Sequence, residues 1–199
     1  PAEPPLFCMV LRKQLEGSRI ADIRQHSLDR ILCFDFDSLA AGGKIVTKTL
    51  IVELIGKYSN IILVQDGIVI DALKKVGSAN SRTRLILPAR EYAPPPAQEK
   101  LDLRTVKPDI IVERLAQDAE ATLCKGLLNV CLGFGPVSAR EVIFSAGLPE
   151  KMSCTDLDAK DKEALQCALA EVYAACIEEE AAPGLTLDKN NKVLATSPF

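Results

Sequence analysis

Apolar residues follow two different periods along this chain. From Leu6 to Leu15 (LFCMVLRKQL), Leu6, Met9, Val10 and Lys13 recur at i, i+3, i+4 and i+7, and only Lys13 is polar. That spacing predicts a helix, with Gly17 as its stop. Pro4 and Pro5 suit the preceding turn or the first helical position, where no N–H is missed. Beyond it come short runs of strand character: Arg19 to Gln25, Leu28 to Phe36, Ile45 to Ile55, Asn60 to Gln65 and Ile68 to Leu73. Asp66-Gly67 separates the last two, a type I′ hairpin signal because both residues must tolerate positive φ. Gly42 and Gly43 mark an earlier turn. Five consecutive short strands predict an antiparallel meander packed against the first helix.

Pro94, Pro95 and Pro96 close this region, and the period then changes to that of a helix. Asp109 to Cys124, Ala139 to Ala146 and Asp158 to Glu180 predict a small all-α module over residues 105–180. A final strand pair, Leu185 to Asp188 and Lys192 to Thr196, is expected after Pro183-Gly184, with Asp188 to Asn191 as its turn. The expected division is therefore a sheet domain over 1–104, the helical module over 105–180, and returning strands over 181–199.

Composition narrows the function classes. The 199 residues suit one domain or two small ones, and 48% hydrophobic content excludes intrinsic disorder. No run approaches the roughly 20 apolar residues of a membrane-spanning helix. A formal charge of −3 excludes a strongly basic clamp as a whole-chain property. The average conceals an asymmetry: residues 1–100 carry 14 basic and 11 acidic side chains, a net +3, and residues 101–199 a net −6. A polyanionic partner would favour the first half.

Seven cysteines, Cys8, Cys33, Cys124, Cys131, Cys154, Cys167 and Cys176, lie among apolar neighbours with no C-x-x-C pair. They are expected to be buried free thiols of a reducing cytoplasm, and neither a metal site nor a cofactor is expected. The chain has no signal-peptide pattern and no initiator Met, and it reads as a fragment of a longer protein.

Three constellations could carry chemistry. Leu132-Gly133-Phe134-Gly135-Pro136-Val137-Ser138-Ala139-Arg140 has the helix-hairpin-helix pattern, in which glycines turn the backbone and N–H groups at the next helix's start can hold a phosphate. The same residues also fit a plain αα-hairpin, and residues 104–147 carry no net charge. Asp29-Arg30 heads the second strand run, where a period of two puts Arg30 on the face of Leu28, Leu32, Phe34 and Phe36. Glu53, between Val52 and Leu54, is similarly out of place. Arg30 and Glu53 either form a buried pair that fixes register or make a polar ligand site at the sheet's edge. Arg82, Arg84, Arg90 and Tyr92 could neutralise or stack on RNA, or could be an ordinary polar loop. No catalytic triad is supported, since His26 is the only histidine and no nucleophile elbow surrounds any Ser. Asp35 and Asp37 share one strand face and are expected to form a solvated edge.

The ordered blocks PPLFCMVLRKQLEG, IADIRQHSLDRILCF, LIVELIGKYSNIILV and RLILPAREYAPPP resemble the N-terminal region of the NFACT family. That family includes bacterial RqcH and fibronectin-binding protein A-like members and the eukaryotic NEMF and Tae relatives. LGFGPVSAREV is similar to its helix-hairpin-helix module, and the terminal SPF to the start of an SPFPL motif. The resemblance implies an α+β fold: an antiparallel sheet domain, similar to the N-terminal domain of formamidopyrimidine-type DNA glycosylases, with an inserted all-α helix-hairpin-helix module. It also implies a ribosome-associated quality-control role without catalytic residues. The partners would be tRNA (alanyl-tRNA and peptidyl-tRNA) and the obstructed large ribosomal subunit, in support of untemplated C-terminal alanine tailing.

The family's Asp-Arg motif falls on Asp29 and Arg30, and its Glu-apolar-apolar-Gly motif on Glu53, Leu54, Ile55 and Gly56. These residues would contact tRNA, while Gly133, Phe134, Gly135, Arg82, Arg84 and Arg90 would contact phosphate or RNA. Gln14 departs from the family's usual His, and Ala89 stands where a Pro-Gly turn is usual, which is unfavourable if that turn needs positive φ. Relative to the family, the chain is expected to lack an opening segment, the coiled-coil arms and the NFACT-R part. The alternatives are a surface adhesin that binds fibronectin and a DNA-lesion-processing domain.

Overall fold

A computed structural model describes residues 3–40, 42–78, 84–177 and 184–197. The chain forms two compact units, residues 1–97 and 98–199.

In the first unit, α1 (Leu6–Leu15) precedes five strands: β1 (Arg19–Gln25), β2 (Ile31–Leu39), β3 (Ile45–Glu53), β4 (Asn60–Gln65) and β5 (Ile68–Ala72). All neighbours are antiparallel, in the order β1-β2-β3-β4-β5, the expected meander. The Asp66-Gly67 turn has φ of 51° and 78°, as a type I′ hairpin requires. Pairing of Ile31 with Glu53, Cys33 with Ile51, and Ile51 with Ile62 fixes one face of the sheet. Ile31, Ile51, Ile62, Val64, Val69 and Ala72 form its core there, covered by Ile86, with Val76 and Tyr92 packed against it. Antiparallel bridges join Val76 to Ile86 and Ile68 of β5 to Glu91. On the opposite face, Lys48 Nζ donates to the Gln14 carbonyl at 3.0 Å and ties down the end of α1.

Two sequence expectations change in this unit. The buried residue of α1 is Phe7, whereas Leu6 and Met9 are 72% and 47% exposed. The face toward the sheet runs through Phe7, Val10, Leu11 and Gln14, an equally good helical stripe that Lys13 does not interrupt. Asp35 and Asp37 are not at an edge, because β2 lies between β1 and β3. They accept hydrogen bonds from Thr49 and Thr47 of β3, each at 2.6 Å. Arg24 also pairs with Asp35, so although burial alone would raise that carboxyl, Arg24 and Thr49 hold it below the usual carboxylate range. β1, at one end of the sheet, is exposed along its whole length.

The second unit contains α2 (Pro108–Ala116), α3 (Leu123–Val130), α4 (Pro136–Ser145) and α5 (Ala159–Ile177). The single helix expected over 109–124 is therefore broken between Ala116 and Leu123. The break turns α3 back onto α2, and Gly126 meets Leu115 so closely that a Cβ there would lie 2.4 Å from Leu115 Cδ1 and 2.6 Å from Cys154 Sγ. Ile111, Leu115, Leu123, Leu127, Leu165 and Leu169 fill this core. The strands β6 (Gly184–Leu187) and β7 (Val193–Ser197) pair with each other as a separate two-stranded sheet. Cys131 and Cys154 are buried, and burial pushes their thiols up to about 12 and about 11. Cys167 is exposed, contrary to expectation, because it lies on the solvent side of α5; the side chain of Cys176 and the SPF ending at Pro198 and Phe199 lie outside the described residues. Among the described residues, no helix is long and apolar enough to cross a membrane.

Candidate nucleic-acid interface

The β1–β2 connection is a tight loop in which Ser27 has a φ of 54°. His26 N–H donates to the Ile31 carbonyl at 2.9 Å and Asp29 N–H to the His26 carbonyl at 3.0 Å, which closes the turn. Gln25 Nε2 donates to the Asp29 carbonyl at 2.9 Å. Ladder pairing of β2 with β3 starts only at Ile31, so Asp29 and Arg30 belong to the turn and not to the strand. Asp29 is half-buried and Arg30 exposed. Neither side chain has a hydrogen bond or ion pair among the described residues. The expectation that Arg30 sits on the apolar strand face is thus corrected.

The Arg30–Glu53 pair is corrected as well. Ile31 stands opposite Glu53, and directly paired residues share a sheet face. Arg30, one residue earlier, cannot follow Glu53 into the core. Its connection to that strand end is through the backbone: Leu54 N–H donates to the Arg30 carbonyl at 2.8 Å. The two sequence motifs do meet, but by main chain. Leu54 is 49% exposed beside the turn, and Ile55 is half-buried.

Glu53 is 1% exposed, and Arg84 is its cation. Arg84 grips both carboxylate oxygens, with Nη1 to Oε2 at 2.9 Å. The Tyr92 hydroxyl donates to Oε1 at 2.9 Å, and the guanidinium lies 5.3 Å from the Tyr92 ring centroid. Arg84 Nε donates to the Ala93 carbonyl at 2.5 Å. Burial first, and then the Glu53 charge, push the Tyr92 phenol well above its ordinary range. A charged pair this far from water is sustained because its lone pairs and protons are satisfied. Arg84, expected to meet RNA, is committed here to the protein itself.

The remaining expected residues are dispersed. Arg90 is exposed beyond the Leu87–Arg90 turn, where Ala89 adopts a φ of 61°. Pro88 then Ala89 at positive φ is the type II arrangement, so the turn keeps its shape without glycine. Arg82 lies outside the described residues. In the second unit Gly133 has a φ of 80°, Phe134 packs against the helical core, and Gly135 is the extended residue before α4. Pro136 occupies the first turn of α4, so the free first-turn donors are the N–H groups of Val137 and Ser138. Sequence reasoning missed that Tyr92 and Arg84 serve Glu53. They lie more than thirty residues away, and no local pattern announces such a contact.

The family model for NFACT N-terminal and middle domains matches residues 1–198. The Rqc2 homolog RqcH of Bacillus subtilis is 35% identical over 188 residues, covering 94% of this chain and 31% of that protein. Among solved structures, the N-terminal part of the fibronectin/fibrinogen-binding protein from Streptococcus suis matches all of this chain and 65% of its own, at 32% identity and a TM-score of 0.67. The fibrinogen binding protein from Staphylococcus aureus matches 96% of this chain and 65% of its own, at 26% identity and a TM-score of 0.75. The chain thus spans about a third of the length of this curated relative.

Proposed function

This chain belongs to the NFACT family, and on that premise we propose that it is the tRNA-contacting part of a ribosome-associated quality-control factor. In this reading the whole protein is a cytoplasmic adaptor. It binds large ribosomal subunits obstructed by peptidyl-tRNA, and supports untemplated alanine tailing, for which the ribosome makes the peptide bond. Residues 105–180 are its helix-hairpin-helix module, which the strand pair β6–β7 follows. The curated relative's name, Rqc2 homolog RqcH, supports the assignment to quality control.

The observation that carries the tRNA contact is the Asp29-Arg30 turn. An exposed guanidinium without a partner among the described residues sits on a turn whose carbonyl is anchored to Leu54. Arg presents a planar fork of donors suited to phosphate or a base edge, and Asp29 can accept from an exocyclic amine or a ribose hydroxyl. Leu54 and Ile55 add apolar surface beside it. Glu53 acts from within: by holding Arg84 and Tyr92 it fixes the strand end that carries Leu54. The amides of the Gly133–Gly135 hairpin are a second phosphate contact, and Arg90 a peripheral one.

The experiment is co-sedimentation of the full-length protein with large subunits, with and without peptidyl-tRNA. Association that depends on peptidyl-tRNA is expected, and equal binding to vacant subunits would overturn the reading. A second reading, a surface adhesin, is favoured by the described binding of the Streptococcus suis and Staphylococcus aureus neighbours. Cell fractionation separates the two: an adhesin partitions with the envelope, a quality-control factor with the ribosomes.

A further inference from the structure

A cleft of about 450 Å³ opens beside the Glu53 cluster, within the first unit. Its size falls in the range of small-ligand sites, roughly 300–1,000 Å³. The chain leaves β3 through Gly56, whose φ of 54° allows a short 3-10 turn, Gly56–Tyr58, that puts Lys57 and Tyr58 on the rim. Lys74, just after β5, comes from the other side. Asn60, 4% exposed, fixes this approach: its Nδ2 donates to the Lys74 carbonyl and its Oδ1 accepts from Lys74 N–H, both at 2.9 Å. Lys74 Nζ also donates to the Lys57 carbonyl at 3.4 Å. Lys74 is thereby held against the Lys57 backbone, and both lysines line the cleft. The one acid among the described lining residues is Glu53, already occupied by Arg84 and Tyr92. Among the described lining residues no acid is left to compensate the rim. Tyr58 is 68% exposed, with Lys57 Nζ 4.9 Å from its ring centroid, and Ile55, Val76 and Pro95 give the wall an apolar stretch.

The geometry points to a nucleotide-binding cleft, in which Lys57 and Lys74 hold a phosphate and the Tyr58 ring stacks on the base. This deepens the RNA-binding reading above and rests on it for the case in which the nucleotide belongs to a strand. Two cations without an ion pair among the described residues select an anion, and an exposed aromatic ring beside them selects one that carries a planar group. Neither lysine belongs to the two motifs that meet at Arg30 and Leu54.

The test titrates the full-length protein with a fluorescently labelled single-stranded oligoadenylate over a range of salt, with AMP as competitor. Lys57→Ala with Lys74→Ala is expected to weaken RNA binding and to flatten the plot of log K against log salt by about 0.7, the share of the one phosphate the pair holds. Lys57→Arg with Lys74→Arg should retain the slope. Tyr58→Ala should cost at least about fivefold, and Tyr58→Phe nothing measurable. All three residues are exposed, so unchanged melting curves exclude misfolding as the cause. RNA binding by wild type with no change of slope in the double Ala variant would overturn the cleft and leave the RNA reading standing. AMP binding lost with the lysines, without any RNA binding, would support the cleft and overturn the RNA reading. Binding of neither would overturn both.

Discussion

Arg84 and Arg30 approach the same strand end, and their surroundings are opposite. Arg84 reaches Glu53 from a distant segment, grips both carboxylate oxygens, and shares them with Tyr92. Arg30 is linked to that strand end by its carbonyl alone, while its guanidinium faces solvent. One arginine is bound into the fold, and the other makes no side-chain hydrogen bond or ion pair among the described residues. Arg30 looked functional as a charge in an apolar run, and Arg84 as part of a basic and aromatic stretch. What separates them is whether the protein itself satisfies the charge.

The largest effect should come from breaking the satisfied side. Arg84→Ala leaves Glu53 as an unpaired buried carboxylate and is expected to destabilise the sheet unit by about 3–5 kcal/mol in urea denaturation. A loss under 1 kcal/mol would mean that Glu53 finds water or another cation. Tyr92→Phe removes one hydrogen bond to a charged acceptor and should cost about 1.5–3 kcal/mol. It carries a pH signature. Because the folded state raises the Tyr92 pKa, the folded protein holds this proton more tightly than the unfolded chain. Stability should therefore be full below the ordinary value of 10.0 and fall as pH rises beyond it. Denaturation at pH 9 and at pH 11 should show the wild type losing more than the Phe variant.

A smaller effect sharpens the contrast from a neighbouring turn. Ala89 has a φ of 61°, so Ala89→Gly relieves strain and should raise stability by up to about 1 kcal/mol, less the extra entropy of the unfolded chain. A melting temperature below wild type would show that the turn is not strained.

The sheet was legible because its strands are short, consecutive and separated by turn residues. Arg19–Gln25 and Asn60–Gln65 match their sequence bounds, and Asp66-Gly67 turns as its residues demand. The start of β2 was not legible. Leu28 continues the apolar alternation into the strand, yet the positive φ of Ser27 begins a turn that pairing ends only at Ile31. That three-residue difference moved Arg30 from the core to the surface. The break between α2 and α3 was hidden for a related reason, since the apolar period runs on through 117–122 and only the close approach of Gly126 to Leu115 demands a reversal. Of the candidate site, the motif residues were identifiable from resemblance. Their partners were not, because the Glu53 contacts to Arg84 and Tyr92 span 31 and 39 residues.

The smallest expected change in stability belongs to the Asp29-Arg30 turn, and there the account is most exposed. Asp29→Ala with Arg30→Ala removes no side-chain contact among the described residues, so stability should stay within about 0.5 kcal/mol of wild type. Binding of charged tRNA by the full-length double variant, measured alongside its melting temperature, is the deciding experiment. Loss of tRNA binding with an unchanged melting temperature is the predicted result. Retained tRNA binding together with a markedly lower melting temperature would contradict the account and make the turn a structural element.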